Sequence, residues 1–235
     1  MQNYCKTIGA LAAASALVAG NATAEVEYEL HTGYTNEYVF RGVEAGSDLL
    51  EMGIDAATTY NDLALSAGVW QADFNLIGPG TSVQEIDVYG EVATNLGFAT
   101  GAIGYIYYIN DAAIGDDFQE IYFSLAKSLD YGIDASLTYY WGIEGDNNGY
   151  TALSFEKGYE LSPCLELGLS TTFQYSAEHG EFAGAISSAT LDWAITETAT
   201  ISPFVSVAYG TSASSGYESD SNNELFGGSM LSVSF

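Results

Sequence analysis

Gly227-Gly228-Ser229-Met230-Leu231-Ser232-Val233-Ser234-Phe235 ends the chain. Counted back in twos, Phe235, Val233 and Leu231 fall on one face, followed by Ser229 and Gly227. The other phase, apart from Met230, is small and polar: Ser234, Ser232 and Gly228. Period two with one apolar face is the mark of a β-strand. A terminal strand with its apolar face in water would invite edge-to-edge pairing. The same strand is at ease if it closes a barrel against the first strand and turns its apolar face to lipid.

The opening of the chain reads as a targeting segment. Lys6 is the only charge in residues 1–24, Thr7 to Ala19 is an apolar run too short to span a bilayer, and Ala22-Thr23-Ala24 is an A-x-A site. The expected division is a cleaved secretory signal at 1–24 and one β-barrel domain at 25–235. Cys5 precedes the apolar run, so no lipoprotein box is present. Beyond residue 24 no apolar run approaches the length of a membrane helix.

Removing Lys6 leaves the chain one unit more negative than its formal charge of −27, with Arg41, Lys127 and Lys157 as its only fixed cations. Such acidity argues against nucleic acid or anionic lipid as a direct partner. Hydrophobic residues at 48% and aromatics at 14% separate the chain from acidic disordered segments. Cys164 alone remains after cleavage, so no internal disulfide or cysteine metal cluster is expected.

Alternation recurs along the whole chain. The first strand, about 25–35, sets Val26, Tyr28, Leu30, Thr32 and Tyr34 against Glu27, Glu29, His31 and Gly33. The ninth sets Leu165, Leu167, Leu169, Thr171, Phe173 and Tyr175 against Glu166, Gly168, Ser170, Thr172 and Gln174. The fifth is apolar in both phases (Ile103, Tyr105 and Tyr107 against Ile106 and Tyr108), and its facing stays open. Pro203 in the eleventh suggests a bulge.

The count is twelve strands of about ten residues, the length of tilted membrane strands. Turns near 61, 96, 131, 162 and 197 are short. Segments near 36–48, 73–82, 110–117, 142–149, 176–181 and 210–224 are longer and polar. Aromatics gather towards strand ends: Tyr34, Tyr60, Tyr139, Trp141, Tyr175, Trp193 and Tyr209. Alternation alone also fits a soluble β-sandwich. Uniform strand length, interface aromatics and the secretory opening favour an all-β, closed, antiparallel, up-and-down transmembrane barrel.

The final Phe235 behind alternate apolar residues resembles the sorting signal of outer-membrane barrels. Tyr38-Val39-Phe40-Arg41-Gly42-Val43 resembles the opening motif of the TorF-like porin family. Ala67-Gly68-Val69-Trp70 leading to Asp73-Phe74, and Glu85-Ile86-Asp87-Val88-Tyr89-Gly90, are similar to that family's next two blocks, and Glu120-Ile121-Tyr122 continues the series. The matches run in order over the first half of residues 25–235. The resemblance implies a bacterial outer-membrane location and a pore, with the barrel-assembly machinery as partner during insertion and outer-membrane lipid around the wall. It implies no particular solute and no catalytic residues.

On the polar phase lie Glu27, Glu29, Glu51, Asp55, Glu85, Asp87, Glu91, Glu120, Asp134, Glu166 and Asp192. With the apolar phase on lipid, these acids face the lumen. The candidate pore-lining set is Arg41, Glu51, Asp55, Glu85, Asp87, Glu91 and Glu120. A carboxylate-lined bore favours cations, so the expected function is passive passage of small polar or cationic solutes. The alternative is a non-conducting surface barrel whose acidic loops bind ions or partners. Arg41 reads as a structural ion pair at the rim, the alternative being a fork that clamps lumen carboxylates, fixes an inward loop or contacts a solute.

Three loop groups carry oxygen ligands: Asp111, Asp116 and Asp117; Asp146, Asn147 and Asn148; Glu218, Asp220, Asn222 and Asn223. None has EF-hand spacing, and solvated loop acids are the preferred reading. His31 and His179 are the only histidines, and neither G-x-S-x-G nor H-E-x-x-H occurs. The sequence reading is therefore a non-enzyme without cofactor or metal.

Overall fold

The computed structural model describes residues 25–77, 80–144, 149–177, 180–210 and 223–235. The expected signal segment at 1–24, His179, Asp146, Asn147, Asn148, Glu218, Asp220 and Asn222 lie outside the described residues.

Twelve antiparallel strands form a closed barrel in which each strand pairs with its sequence neighbours. They are β1 (Glu27–Phe40), β2 (Val43–Tyr60), β3 (Leu63–Leu76), β4 (Ser82–Asn95), β5 (Thr100–Asn110), β6 (Phe118–Leu129), β7 (Ile133–Gly142), β8 (Tyr150–Ser162), β9 (Leu165–Ser176), β10 (Glu181–Ala194), β11 (Ala199–Gly210) and β12 (Asn223–Ser234). Closure is between β1 and β12, in register from Glu29↔Ser234 to Thr35↔Gly228. Tyr28 and Phe235 exchange both backbone hydrogen bonds at 3.0 Å. The Phe235 ring is exposed and stacks on Tyr28 at 5.9 Å between centroids. The terminal strand thus closes the barrel, and its last residue sits outward at the rim.

The apolar phase points outward. Leu30, Leu50, Met52, Ile54, Val69, Val88, Leu169 and Val205 are all exposed, while Glu29, Glu85, Glu120, Gln174 and Ser206 on the other phase are buried. This is the inside-out distribution of a wall set in hydrocarbon. Tyr60 and Trp193 lie at one end of the outer surface, and Tyr34, Trp141, Tyr175 and Tyr209 towards the other, where interfacial aromatics belong. Lys127 and Lys157 also lie on the outward phase, paired with Ala135 and Leu169 towards the short-turn end. There their stems can snorkel to the interface.

The facing of β5 is decided by its neighbour. Asp87↔Tyr108 and Glu91↔Gly104 place Tyr108 and Gly104 inside with the acids, leaving Ile103 and Tyr105 exposed outside. The bulge expected at Pro203 is absent: β11 runs against β12 in unbroken register through Pro203↔Ser229. Pro203 sits on the outward phase where the ladder towards β10 has no pairing between Thr190↔Phe204 and Trp193↔Ile201, so the missing N–H is tolerated without an inserted residue. Register shifts occur instead at Tyr38/Val39, Ser47/Leu50, Glu160/Ser162 and Phe182/Gly184.

A larger departure concerns residues 36–48. Expected as a polar outer loop, they extend β1 and β2 into a β-hairpin that turns on Arg41 and Gly42 alone. Both central residues have positive φ, 51° and 81°, the condition for a type I′ two-residue turn. The shifts on β2 flank Asp48, itself at φ 55°. Bulges of this kind bend a strand and re-aim its onward course. Segment 73–82 is likewise entered by strand at its ends, β3 running to Leu76 and β4 starting at Ser82, whereas 176–181 lies between the end of β9 at Ser176 and the start of β10 at Glu181.

Candidate functional site: a hairpin across the lumen

Twelve strands roughly 4.8 Å apart and tilted by about 40° place the backbone about 12 Å from the barrel axis. Side chains alone would leave a gap in such a bore, so anything crossing it decides what remains open. The β1–β2 hairpin crosses it. Around the closed barrel β7 lies diametrically opposite β1. Arg41, at the hairpin tip, touches Glu120 on β6, Tyr140 on β7 and Tyr150 on β8. A Cβ on Gly42 would meet Gln174 Oε1 of β9 at 2.6 Å, so the tip reaches that strand as well, and φ of 81° favours glycine there.

The hairpin's root is fixed by apolar packing inside the barrel. Leu49, Ala72, Phe74 and Val83 form a small buried cluster, with Tyr38, Trp70, Leu76 and Ile114 packed on it. The Tyr38 ring meets Phe74 edge-on at 4.8 Å and Trp70 at 6.2 Å. Phe40 meets Tyr108 of β5 edge-on at 6.1 Å, and Tyr108 stacks on Phe118 at 4.0 Å. Aromatic pairs of this geometry add to plain burial. The hairpin therefore packs an apolar and aromatic side inside the barrel, keeps Glu37, Glu44 and Asp48 among its polar residues, and carries one cation at its tip.

That charge is matched. Arg41 Nη2 donates to Glu120 Oε2 at 2.5 Å, and the Tyr108 hydroxyl donates to the same oxygen at 3.0 Å. Glu120 is only 3% exposed, so its carboxylate depends on these two donors. The Arg41 pair belongs to an inward-folded segment rather than to the rim, where the sequence reading favoured placing it.

All six candidate acids face the interior. Glu51 accepts from Trp70 Nε1 at 2.6 Å. Asp55 accepts from the Tyr89 hydroxyl at 2.6 Å and lies 3.9 Å from His31 Nε2. Glu91 accepts from the Tyr122 hydroxyl at 2.8 Å. Glu85 is buried beside Tyr38. Asp87 Oδ1, Glu91 Oε1 and Gln174 Oε1 are buried acceptors with no donor.

Two of these contacts share a device that composition could not reveal. Asp55 and Tyr89 are two strands apart, with Gly68 of β3 between them in register. Glu91 and Tyr122 flank Gly104 of β5 in the same way. A Cβ on Gly68 would run into Asp55 Oδ1, and one on Gly104 into the Tyr122 ring. Glycine on the middle strand lets a tyrosine lie flat along the wall and reach an acid two strands away. The acids are thus held against the wall and do not project freely into the bore.

The opposite wall is built differently. Ser154 with Thr172, and Ser188 with Ser206, are bonded hydroxyl pairs at 2.8 and 2.7 Å, and Ser124 with Thr138 begins the series at 3.0 Å. Its acid Asp192 accepts from the Ser202 hydroxyl at 2.6 Å, near the short-turn end. Of the loop acids, Asp111 accepts from the Ala113 N–H at 2.9 Å and Asp117 from the Asn110 N–H at 2.9 Å, so these carboxylates cap their own loop.

No family model and no curated protein matches the sequence. The structure is similar to an outer-membrane channel from Pseudomonas putida F1, with TM-score 0.58 and 11% identity over 93% of this chain and 98% of that one. It is similar to the NanC porin, with TM-score 0.54 and 13% identity over 88% and 98%. The chain has the fold of a bacterial outer-membrane β-barrel. Channels and porins stand among its structural neighbours. The resemblance to the TorF-like porins finds no matching family model.

A third likeness corrects the sequence reading that the chain is no enzyme. Outer-membrane phospholipase A from Escherichia coli superposes with TM-score 0.51 and 15% identity over 88% of this chain and 89% of that one. A barrel of this form does carry catalysis, and at such identity the likeness conveys the fold and no activity. Short linear motifs were the wrong criterion. In a barrel, groups that meet in space come from different strands, as His31 on β1 and Asp55 on β2 do here.

Proposed function

We propose that the chain is an outer-membrane channel for small polar solutes that favours cations, its lumen narrowed by the β1–β2 hairpin. The observation that carries this reading is the charge inside the bore. Glu51, Asp55, Glu85, Asp87, Glu91 and Glu120 face inward, and Arg41 is the one fixed cation that meets them among the described residues. Buried acceptors outnumber their donors around the hairpin, and a carboxylate-lined pore attracts cations and repels anions. Outer-membrane lipid around the wall and the assembly machinery during insertion are the partners this reading requires, and the TorF-like resemblance fits it.

Planar-bilayer recording of the folded protein tests the proposal. Discrete conductance steps are expected, with a reversal potential in a KCl gradient of the sign for K⁺ selectivity. A protein shown to be folded by heat-modifiable gel migration that gives no steps would exclude the pore. A second reading, a non-conducting surface barrel, draws on the hairpin that spans the bore. It is distinguished by a silent wild type that conducts once the hairpin is shortened.

A further inference from the structure

Arg41 is the only arginine of the chain, and it occupies a box. Its guanidinium carbon lies 4.5 Å from the Tyr150 ring centroid, 4.9 Å from Tyr140 and 4.8 Å from Phe40. Glu120 supplies the counter-charge, and Tyr108 holds that carboxylate in place. Phe40 travels with the hairpin. The other four side chains stand on four consecutive strands, β5 to β8, and stay in the wall if the hairpin withdraws.

Two aromatic faces and one buried carboxylate are the chemistry that recognises a planar or alkylated cation. The Tyr150 hydroxyl is buried without a partner, a free hydrogen-bonding group on the same box. The backbone position does not favour an arginine: at φ 51° a residue with a Cβ is strained, and glycine or asparagine would suit the turn better. Its place in the turn is explained by what its side chain reaches.

We propose that the β5–β8 wall (Tyr108, Glu120, Tyr140 and Tyr150) is a binding site for small guanidinium and alkylammonium cations, which Arg41 fills as a tethered ligand. Glu120 is too buried to stand unpaired. Withdrawal of Arg41 therefore calls for an incoming cation, and the incoming cation must displace Arg41. A side chain on a short tether competes at an effective concentration on the order of millimolar or above. The free cation consequently binds weakly to the intact protein and more tightly once Arg41 is gone. As a statement of the channel's solute class this inference rests on the channel reading. As a binding site it is measurable without conduction.

The test is calorimetric titration of the detergent-folded full chain with methylguanidinium, and with urea as the neutral planar control. Arg41→Gly suits the turn and should fold, which heat-modifiable migration verifies. Methylguanidinium should bind Arg41→Gly at least tenfold more tightly than wild type, and urea should bind neither. Adding Glu120→Gln or Tyr150→Leu to Arg41→Gly should weaken that binding at least tenfold. Folded Arg41→Gly that binds no methylguanidinium overturns the proposal, as does binding that both second substitutions leave unchanged. A silent bilayer recording with positive calorimetry would sink the channel and leave the site. Conduction with negative calorimetry would do the reverse.

Discussion

The two walls of this lumen are made from different chemistry on one scaffold. From β2 to β6 the interior carries carboxylates, four of them tied to an aromatic donor or to Arg41: Glu51 to Trp70, Asp55 to Tyr89, Glu91 to Tyr122, and Glu120 to Tyr108 and Arg41. From β8 to β12 it carries small hydroxyls bonded in pairs, with Ser154–Thr172 and Ser188–Ser206 as the pattern, and its acids Glu166 and Asp192 are paired in register near the short-turn end. The hairpin packs its aromatic root on the first wall and sends its arginine to the strands where the two walls meet. Large and charged side chains have much to lose when a partner goes. Paired hydroxyls have little, because each can turn to water or to a neighbour.

The largest effect should come from the hairpin itself. Replacing residues 38–46 by Asn-Gly joins the paired Glu37 and Ser47 through a two-residue turn. Single-channel conductance should then rise several-fold over wild type. An unchanged conductance would mean that the hairpin does not bound the conducting path.

The walls should also differ in stability. Glu120→Ala leaves Arg41 buried without its carboxylate, a loss of about 3–5 kcal/mol for a broken buried pair. Ser188→Ala breaks one hydroxyl pair and should cost about 1 kcal/mol or less. Denaturant unfolding in lipid vesicles, followed by heat-modifiable migration, would rank them, and equal costs would erase the contrast between the walls. A finer comparison uses glycines. At Gly104 a methyl group would strike the Tyr122 ring, whereas at Gly168 its nearest neighbours are 3.9 Å away. Gly104→Ala should cost about 1–3 kcal/mol through forced side-chain movement. Gly168→Ala should be close to neutral in the same assay.

Much of this barrel was legible because period two has only two phases. Leu165 to Tyr175 against Glu166 to Gln174 leaves no doubt which side meets lipid, and Phe235 lies on the rim as the terminal alternation requires. Where both phases are apolar, as at Ile103 to Tyr108, facing is set by the neighbouring strand's acids and cannot be read locally. The hairpin escaped because residues 36–48 hold Asn36, Glu37, Glu44 and Asp48 and look like a solvated loop. Tyr38, Val39, Phe40 and Val43 in the same stretch were the available signal, since an outer loop has little use for so many apolar side chains. The glycine rungs were out of reach altogether. Gly68 matters only because Asp55 and Tyr89 flank it, and that depends on the register of three strands. The phase of the acids was legible from alternation, with Glu85 and Glu120 buried opposite exposed Val88 and Phe123. Their bonding partners were not, because they lie on other strands or, for Arg41, at the hairpin turn.

The most direct measurement is the reversal potential of the wild-type protein in a planar bilayer under a roughly tenfold KCl gradient. The acid wall predicts a potential of the sign for K⁺ preference, shrinking towards zero in a variant with Asp87→Asn and Glu91→Gln. A wild-type potential of the opposite sign, or one that those two substitutions leave unmoved, would contradict the account.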